Sequence, residues 1–284
     1  MRTLRTTFLL TALTLLLLFL GGLFGGRGGM TLALGVAVVM NGVAYFYSDK
    51  IALATSGAQP VTREQAPRLY EVMERLRGKA NLPMPKLYMI PTPAPNAFAT
   101  GRNPQHASVA VTQGLLELMN DDEMEGVIAH ELSHVKNYDI LTSSIAATIA
   151  GAITWLAEMG RWGMIFGGFG GRDNEGEGGA ITAILMLILA PIAAMLLQLG
   201  ISRQREYQAD ASGAKMVGQQ YGLISALKKL EVYNRRIPMK VSPATSSLFI
   251  VAPLSAGRSM MNLFSTHPPL ERRIEILQNM TVLR

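Results

Sequence analysis

The chain has 284 residues, of which 49% are hydrophobic and only 16% charged, with a mean hydropathy of +0.24; this excludes a disordered chain and disfavours an ordinary soluble enzyme, whose charged fraction is nearer about 25%. It contains no cysteine, which excludes disulfides, zinc ribbons, iron–sulfur clusters and thiol nucleophiles and leaves His, Asp and Glu to hold any metal. In so apolar a chain, the net charge of +6 and the pI near 9.6 point to basic residues kept on one side of a membrane rather than to a nucleic-acid surface.

The first apolar run, residues 6–24, carries no charge over about 19 residues, the length a spanning helix needs. A signal peptide with Arg2 and Arg5 at its start is the alternative. The run is long for that role, and a second one, residues 30–47, follows the short link Gly25-Gly26-Arg27-Gly28-Gly29. The pair reads as a hairpin of two spans, closed by an aromatic belt at Tyr45, Phe46 and Tyr47.

In residues 48–139, Leu69, Val72, Met73, Leu76 and Ala80 recur at helical spacing behind Pro67. Residues 86–90 read as a strand, and Pro91, Pro93 and Pro95 as a stiff loop. Asn96, Ala97, Phe98 and Ala99, with residues 107–111, look like a hairpin around Gly101-Arg102-Asn103-Pro104. Residues 120–137 form the most legible helix, with Asn120 as N-cap and Asp121, Asp122 and Glu123 suiting the helix dipole.

That helix contains His130-Glu131-Leu132-Ser133-His134, an H-E-x-x-H pattern that uses two of the four histidines in the chain. Histidines four apart lie about 40° apart around the helix axis, so both imidazoles reach one ion. Glu131 lies about 100° round from His130, placed to contact a water at the metal rather than the metal itself. Met124, Ile128, Leu132 and Val135 form a stripe expected to face the core.

A third apolar run covers residues 140–162, with Trp155, Glu158, Arg161 and Trp162 towards its far end, where charges snorkel to the interface. The link over 167–179 is Gly-rich and acidic, and a fourth run, 180–201, contains Pro191. Four spans place both termini and the long segments on one side, and the weight of Arg2, Arg5 and Lys50 against Arg27 makes that side cytoplasmic. The expected organisation is an N-terminal transmembrane hairpin (1–47), a first half of a cytoplasmic domain (48–139), an inserted transmembrane hairpin (140–201) and the second half (202–284). The fold class is a mainly α membrane protein with four transmembrane helices and an α+β cytoplasmic domain holding a small sheet.

Residues 203–236 read as helical, and a last helix opens at Pro269. A catalytic zinc needs a third protein ligand and an open position. Glu206 is the best candidate, with Asp210 four residues on and able to accept a hydrogen bond from the outer nitrogen of a ligand histidine; an ion pair of Glu206 with Arg203 or Arg205 is the alternative. His106 reads as a surface-loop residue.

The H-E-x-x-H motif with Asp139 beyond it, Asn96-Ala97-Phe98-Ala99-Thr100-Gly101, and Glu206-x-x-Ala209-Asp210 together resemble the HtpX family of membrane zinc metalloproteases, which is related to the type 1 CAAX prenyl proteases. The resemblance covers nearly the whole chain. It implies a zincin-like (gluzincin) catalytic domain with one Zn2+ on His130, His134 and Glu206, Glu131 as general base, and Asp210 and Asp139 supporting the ligands. It further implies substrate binding along the strand of Asn96, Ala97, Phe98 and Ala99, for which plain packing of Phe98 is the alternative. His267 matches a histidine that stabilises the oxyanion in relatives, or else caps the last helix; Arg272 and Arg273 join it or bind lipid headgroups.

The function implied is zinc-dependent hydrolysis of misfolded or damaged membrane proteins in the cell (inner) membrane, as stress-linked quality control overlapping with the ATP-dependent protease FtsH. No nucleotide-binding motif is present and no nucleic-acid partner is expected. The rival readings are an intramembrane protease, a prenyl-protein protease and a catalytically dead zinc-binding scaffold. The charged residues around the motif argue against the first, the four-span count against the second, and an intact Glu131 against the third.

Overall fold

The structure, a computed structural model, describes residues 2–165, 203–237, 239, 241, 243–251 and 268–282. The link at 167–179, the fourth apolar run at 180–201 and His267 lie outside the described residues, as do the side chains of Trp155, Glu158, Arg161 and Trp162.

Helix α1, Arg2–Thr55, is two helices joined at a kink, where Gly26 adopts φ 55° and ψ −141°, a conformation open to glycine at little cost. The two arms run back along each other. Asn41 Nδ2 donates to Thr14 Oγ1 at 2.8 Å across them, and a Cβ on Gly21 would lie 2.5 Å from the carbonyl oxygen of Gly29. The segments Thr6–Leu23 and Gly25–Thr55 are each long and apolar enough to cross a membrane. Leu15, Phe19, Leu32, Val38 and Val39 point outward from the protein, the surface a lipid phase would solvate.

Helix α5, Asp139–Ile165, starts where the third run is expected. It packs against α1 through Ile145, Ile149 and Ile153 on Leu9, Leu13 and Ala44, and the Thr6 and Thr142 hydroxyls lie 3.2 Å apart. Among the described residues, only the two arms of α1 reach the length and hydropathy of a span.

The rest is mostly helical with a small mixed sheet. Strands β1 (Gln59–Pro60), β2 (Lys86–Ile90), β3 (Ala97–Gly101) and β4 (Ala107–Thr112) stand in the order β1-β2-β4-β3. β2 and β4 are parallel, while β3 is antiparallel to β4 with Ala97 opposite Val111. Helix α2 is Pro67–Ala80, α3 is Gln113–Leu118 and α4 is Asp121–Lys136. After the undescribed stretch come α6 (Arg203–Val217), α7 (Tyr221–Arg236), α8 (Pro243–Ser246) and α9 (Leu270–Gln278).

Helix α4 is the central element. Its stripe of Met124, Ile128, Leu132 and Val135 is buried in one core with Leu69, Met73 and Leu76 of α2, Val109 and Val111 of β4, and Leu227 and Leu230 of α7. Each such side chain contributes roughly 1.5–3 kcal/mol when fully buried, so the rotation of α4 about its axis is fixed. α7 approaches closely because Gly126 has no side chain: a Cβ there would sit 2.6 Å from the Leu223 backbone nitrogen. Gly126→Val is expected to push α7 away and to lower the midpoint of thermal unfolding in detergent, at a cost of about 1–3 kcal/mol or more.

The start of α4 is fixed by a capping box. Asn120 Oδ1 accepts the Glu123 N–H, and Glu123 Oε2 accepts the Asn120 N–H, both at 2.9 Å. The Glu123 carboxylate also accepts from Ser225 Oγ at 2.6 Å and Lys229 Nζ at 2.7 Å, which ties α4 to α7. Burial alone would raise the pKa of Glu123, but Lys229, Ser225 and the Asn120 N–H outweigh it and hold the pKa below the ordinary value. The sign follows: this contribution is complete above the unfolded carboxylate value of about 4.3 and is lost as pH falls through the lower folded value. Melting curves of the wild type are therefore expected to lose stability more steeply below about pH 4.3 than those of Glu123→Gln, which gives up that contribution at every pH.

Candidate metal centre

The packing of α4 places His130, Glu131 and His134 on the side where α6 crosses it. α6 comes close because Gly213 faces the His130 backbone, where a Cβ would lie 3.0 Å from the His130 nitrogen. The crossing brings Glu206 and Asp210, one turn apart on α6, against the two histidines.

His130 Nε2 and His134 Nε2 lie 3.2 Å apart. Glu206 Oε1 is 3.4 Å from His134 Nε2, and Glu206 Oε2 is 3.7 Å from His130 Nε2. One ligand atom from each of the three residues falls within 4.8 Å of the others. The outer ring nitrogens face carboxylates: His130 Nδ1 is 2.9 Å from Asp210 Oδ1, and His134 Nδ1 is 3.4 Å from Asp139 Oδ2. Each Nδ1–H then donates outward, which leaves both Nε2 lone pairs and a carboxylate converging on one point. Such a set of electron-pair donors fits a metal ion.

The electrostatics agree. Burial pulls the His130 pKa down although Asp210 opposes it, and a neutral imidazole is what ligation requires. Burial also disfavours charge on His134, but Asp139, Glu206 and Glu131 outweigh it and push its pKa up to about 9. The carboxylates around that ring thus call for a positive charge. Burial pushes Glu131 up to about 7, against the pull of His134 and of the Ala99 N–H that it accepts. A group of that pKa can take up and return a proton near neutral pH.

Glu131 and Glu206 open onto a cavity shared with Ile140 and Ser143 of α5 and with Leu248 and Phe249. β3 borders it through Ala99. β3 is the outermost strand of its sheet, but it is not the exposed edge that peptide binding along Asn96, Ala97, Phe98 and Ala99 assumes. All four residues are buried. The Ile250 N–H donates to the Ala97 carbonyl at 2.9 Å, and Asn96 Nδ2 donates to the Val251 carbonyl at 2.8 Å. Phe98 meets Phe249 edge to face with centroids 5.0 Å apart. The chain's own 249–251 segment covers the first residues of the edge, because the two rings bury each other and the backbone bonds follow.

Asp139, at the first turn of α5, also lies 3.5 Å from Arg205 Nη1. His106 is exposed on the 3₁₀ turn Pro104–His106, with its ring on Asn103. Arg272 is at the surface, paired with Glu275 at 2.6 Å. Arg273 corrects the lipid-headgroup reading: it is wholly buried, with Nε 2.8 Å from Asp210 Oδ2 and Nη2 2.7 Å from Asp210 Oδ1. A signal for this was present in the sequence, since Leu270, Arg273, Ile274 and Leu277 recur at helical spacing on one apolar face.

Comparisons with known proteins converge on one family. The profile described as peptidase family M48 matches residues 63–281. The protease HtpX homologue of Desulfatibacillum aliphaticivorans is 58% identical over 270 residues, covering 95% of this chain and 87% of that one. The protease HtpX homologue of Syntrophotalea carbinolica is 52% identical over 284 residues and all of both chains; that of Aquifex aeolicus is 51% identical over 92% of this chain and 87% of its own. Among solved structures, Ste24p of S. mikatae shares the fold with a TM-score of 0.50 at 21% identity, over 97% of this chain and 65% of that longer one.

Proposed function

The chain belongs to peptidase family M48 as a membrane metalloendopeptidase of the HtpX type, and from that premise we propose that His130, His134 and Glu206 hold one zinc ion and that Glu131 is the general base of peptide hydrolysis. The observation that carries this reading is the convergence of two imidazole nitrogens and one carboxylate within 4.8 Å, with Glu131 beside them. Two nitrogens and one oxygen from protein, with a further position left open, is a donor set suited to catalytic zinc. When bound, zinc supplies Lewis-acid polarisation of the scissile carbonyl and lowers the pKa of water.

Glu131 takes a proton from the attacking water as its oxygen bonds to the carbonyl carbon, and passes that proton to the departing amine as the C–N bond breaks. Asp210 and Asp139 accept the outer N–H groups of His130 and His134 and so hold each ring with its lone pair inward. An extended substrate pairs with β3 around Ala99, past the part covered by residues 249–251. His267 is assigned the oxyanion donor role, to be tested by His267→Ala.

The remaining assignments are a gluzincin-type catalytic domain with cytoplasmic halves at 48–139 and 202–284, four spans with both termini cytoplasmic, location in the inner membrane, and a preference for misfolded or damaged membrane proteins with functional overlap with FtsH. Support for a membrane-protein substrate comes from α5: Ile140 and Ser143 line the cavity, and the same helix packs on the α1 hairpin a few turns on. The reading is tested with the full chain purified in detergent and an unfolded reporter protein. A zinc chelator is expected to stop cleavage and added zinc to restore it; cleavage indifferent to the chelator would overturn the zinc assignment.

A further inference from the structure

Arg273 is the largest buried side chain of the catalytic region that the mechanism above does not use. It stands on α9, 63 positions from Asp210 and 143 from His130 along the chain, and none of its surface is exposed. Its Nε and Nη2 grip both oxygens of Asp210, at 2.8 and 2.7 Å. Nη1 donates to the Ile250 carbonyl at 2.9 Å and lies 3.8 Å from Glu206 Oε2. Asp210 Oδ1 thus sits between Arg273 Nη2 at 2.7 Å and His130 Nδ1 at 2.9 Å, the closest partner of that ring nitrogen, while Nη2 itself stays 3.4 Å from His130 Nδ1; a carboxylate there favours the proton on Nδ1.

A buried ion pair is weak support for stability, because desolvating both charges offsets most of their attraction. The geometry here has a more specific consequence. A planar guanidinium bound side-on fixes the plane of the carboxylate as well as its position. That plane decides where Oδ1 points, and Oδ1 decides the angle of the His130 ring and the nitrogen that carries its proton. With the Nδ1–H held on Asp210, the Nε2 lone pair faces Glu206 and His134. The Ile250 bond adds a second tether, which couples the same guanidinium to the segment lying along β3.

We infer that Arg273 is a positioning residue for the metal centre, acting through Asp210 to hold His130 in its ligating tautomer and angle, so that the C-terminal helix completes a site whose ligands all lie on other helices. The inference rests on the assignment of His130, His134 and Glu206 as metal ligands. It concerns binding before any turnover, so zinc affinity is the direct readout.

The test measures zinc dissociation constants of the full chain in detergent by chelator competition, with Arg273→Lys as the main variant and Arg273→Ala beside it. Lys keeps the charge but lacks the fork, so Arg273→Lys is expected to weaken zinc binding by about 10–100-fold, the usual effect of losing a partner that orients a ligand. In an Asp210→Asn background the further change on Arg273→Lys is expected to be under about threefold, because the two act on one ring, whereas in an Asp139→Asn background, on the His134 side, the full effect persists. A residue that only stabilises the fold would act alike in both backgrounds. Wild-type zinc affinity in Arg273→Lys, equal effects in the two backgrounds, or failure of both Arg273 variants to fold would each overturn the inference while the ligand assignment stands. Wild-type protein whose zinc binding is unchanged by His134→Ala would overturn the ligand assignment, and this inference with it.

Discussion

Glu131→Gln is expected to lower kcat/KM for an unfolded protein substrate by about 10²–10⁴-fold, the range of a lost general base, while zinc stays bound at the wild-type level. The amide has nearly the shape of the carboxylate and still accepts the Ala99 N–H that Glu131 accepts, so the cavity keeps its form. What it loses is the ability to take a proton from water and return it. Glu131 is not among the three converging ligands, which is why affinity and turnover should separate in this variant. Activity assays run beside metal analysis of the same preparation decide the matter. Full activity in Glu131→Gln would move the base elsewhere, and loss of zinc would make Glu131 a ligand.

His134→Ala is expected to remove zinc and activity together. Binding free energies of about 10–16 kcal/mol spread over three or four ligands give roughly 3 kcal/mol for each, or on the order of 10²-fold in affinity or more. The fold should persist. His134 is partly exposed at the cavity side, and the neighbours that anchor α4, Leu132 and Val135, are untouched and fully buried. Removing the imidazole leaves Asp139, Glu206 and Glu131 facing one another without the cation that His134 supplies in the metal-free site. The metal-free variant should therefore be less stable than the metal-free wild type below about pH 6.5, and the gap should close as pH rises through about 9, where His134 gives up its proton. Zinc competition and thermal melts with and without chelator measure both effects. Zinc affinity in His134→Ala equal to wild type would exclude it as a ligand.

The two variants separate the chemistry from the metal. On the proposed assignment, one is expected to keep the ion and lose the proton shuttle, and the other to lose the ion. An inactive zinc-binding scaffold would show the second behaviour only.

Much of this site is legible from the sequence because its rules are local. Helix geometry puts His130 and His134 on one face and Glu131 beside it, whatever surrounds them. The capping box at Asn120 and Glu123 needs residues only three apart. The first two apolar runs and the glycine link between them imply a hairpin, and Gly26 makes the turn. The paired spacing of Glu206 and Asp210 marks one helix face, but spacing alone cannot say which helix that face meets.

What the tertiary structure alone decided lies at long sequence separation. Gly126 and Gly213 let α7 and α6 sit against α4, so Glu206 reaches two histidines more than seventy positions away. Arg273 shares the apolar face of its helix with Leu270, Ile274 and Leu277, which marks it as facing inward, but only the packing of α9 brings it onto Asp210 while Arg272 stays outside. The edge of β3 reads as free until Phe249 packs on Phe98 and Ile250 bonds to Ala97. Periodicity and capping depend on neighbours within one or two turns, so one sequence determines them. Which faces meet is a contest among all the apolar surfaces of the chain at once, and it is settled only when the core closes.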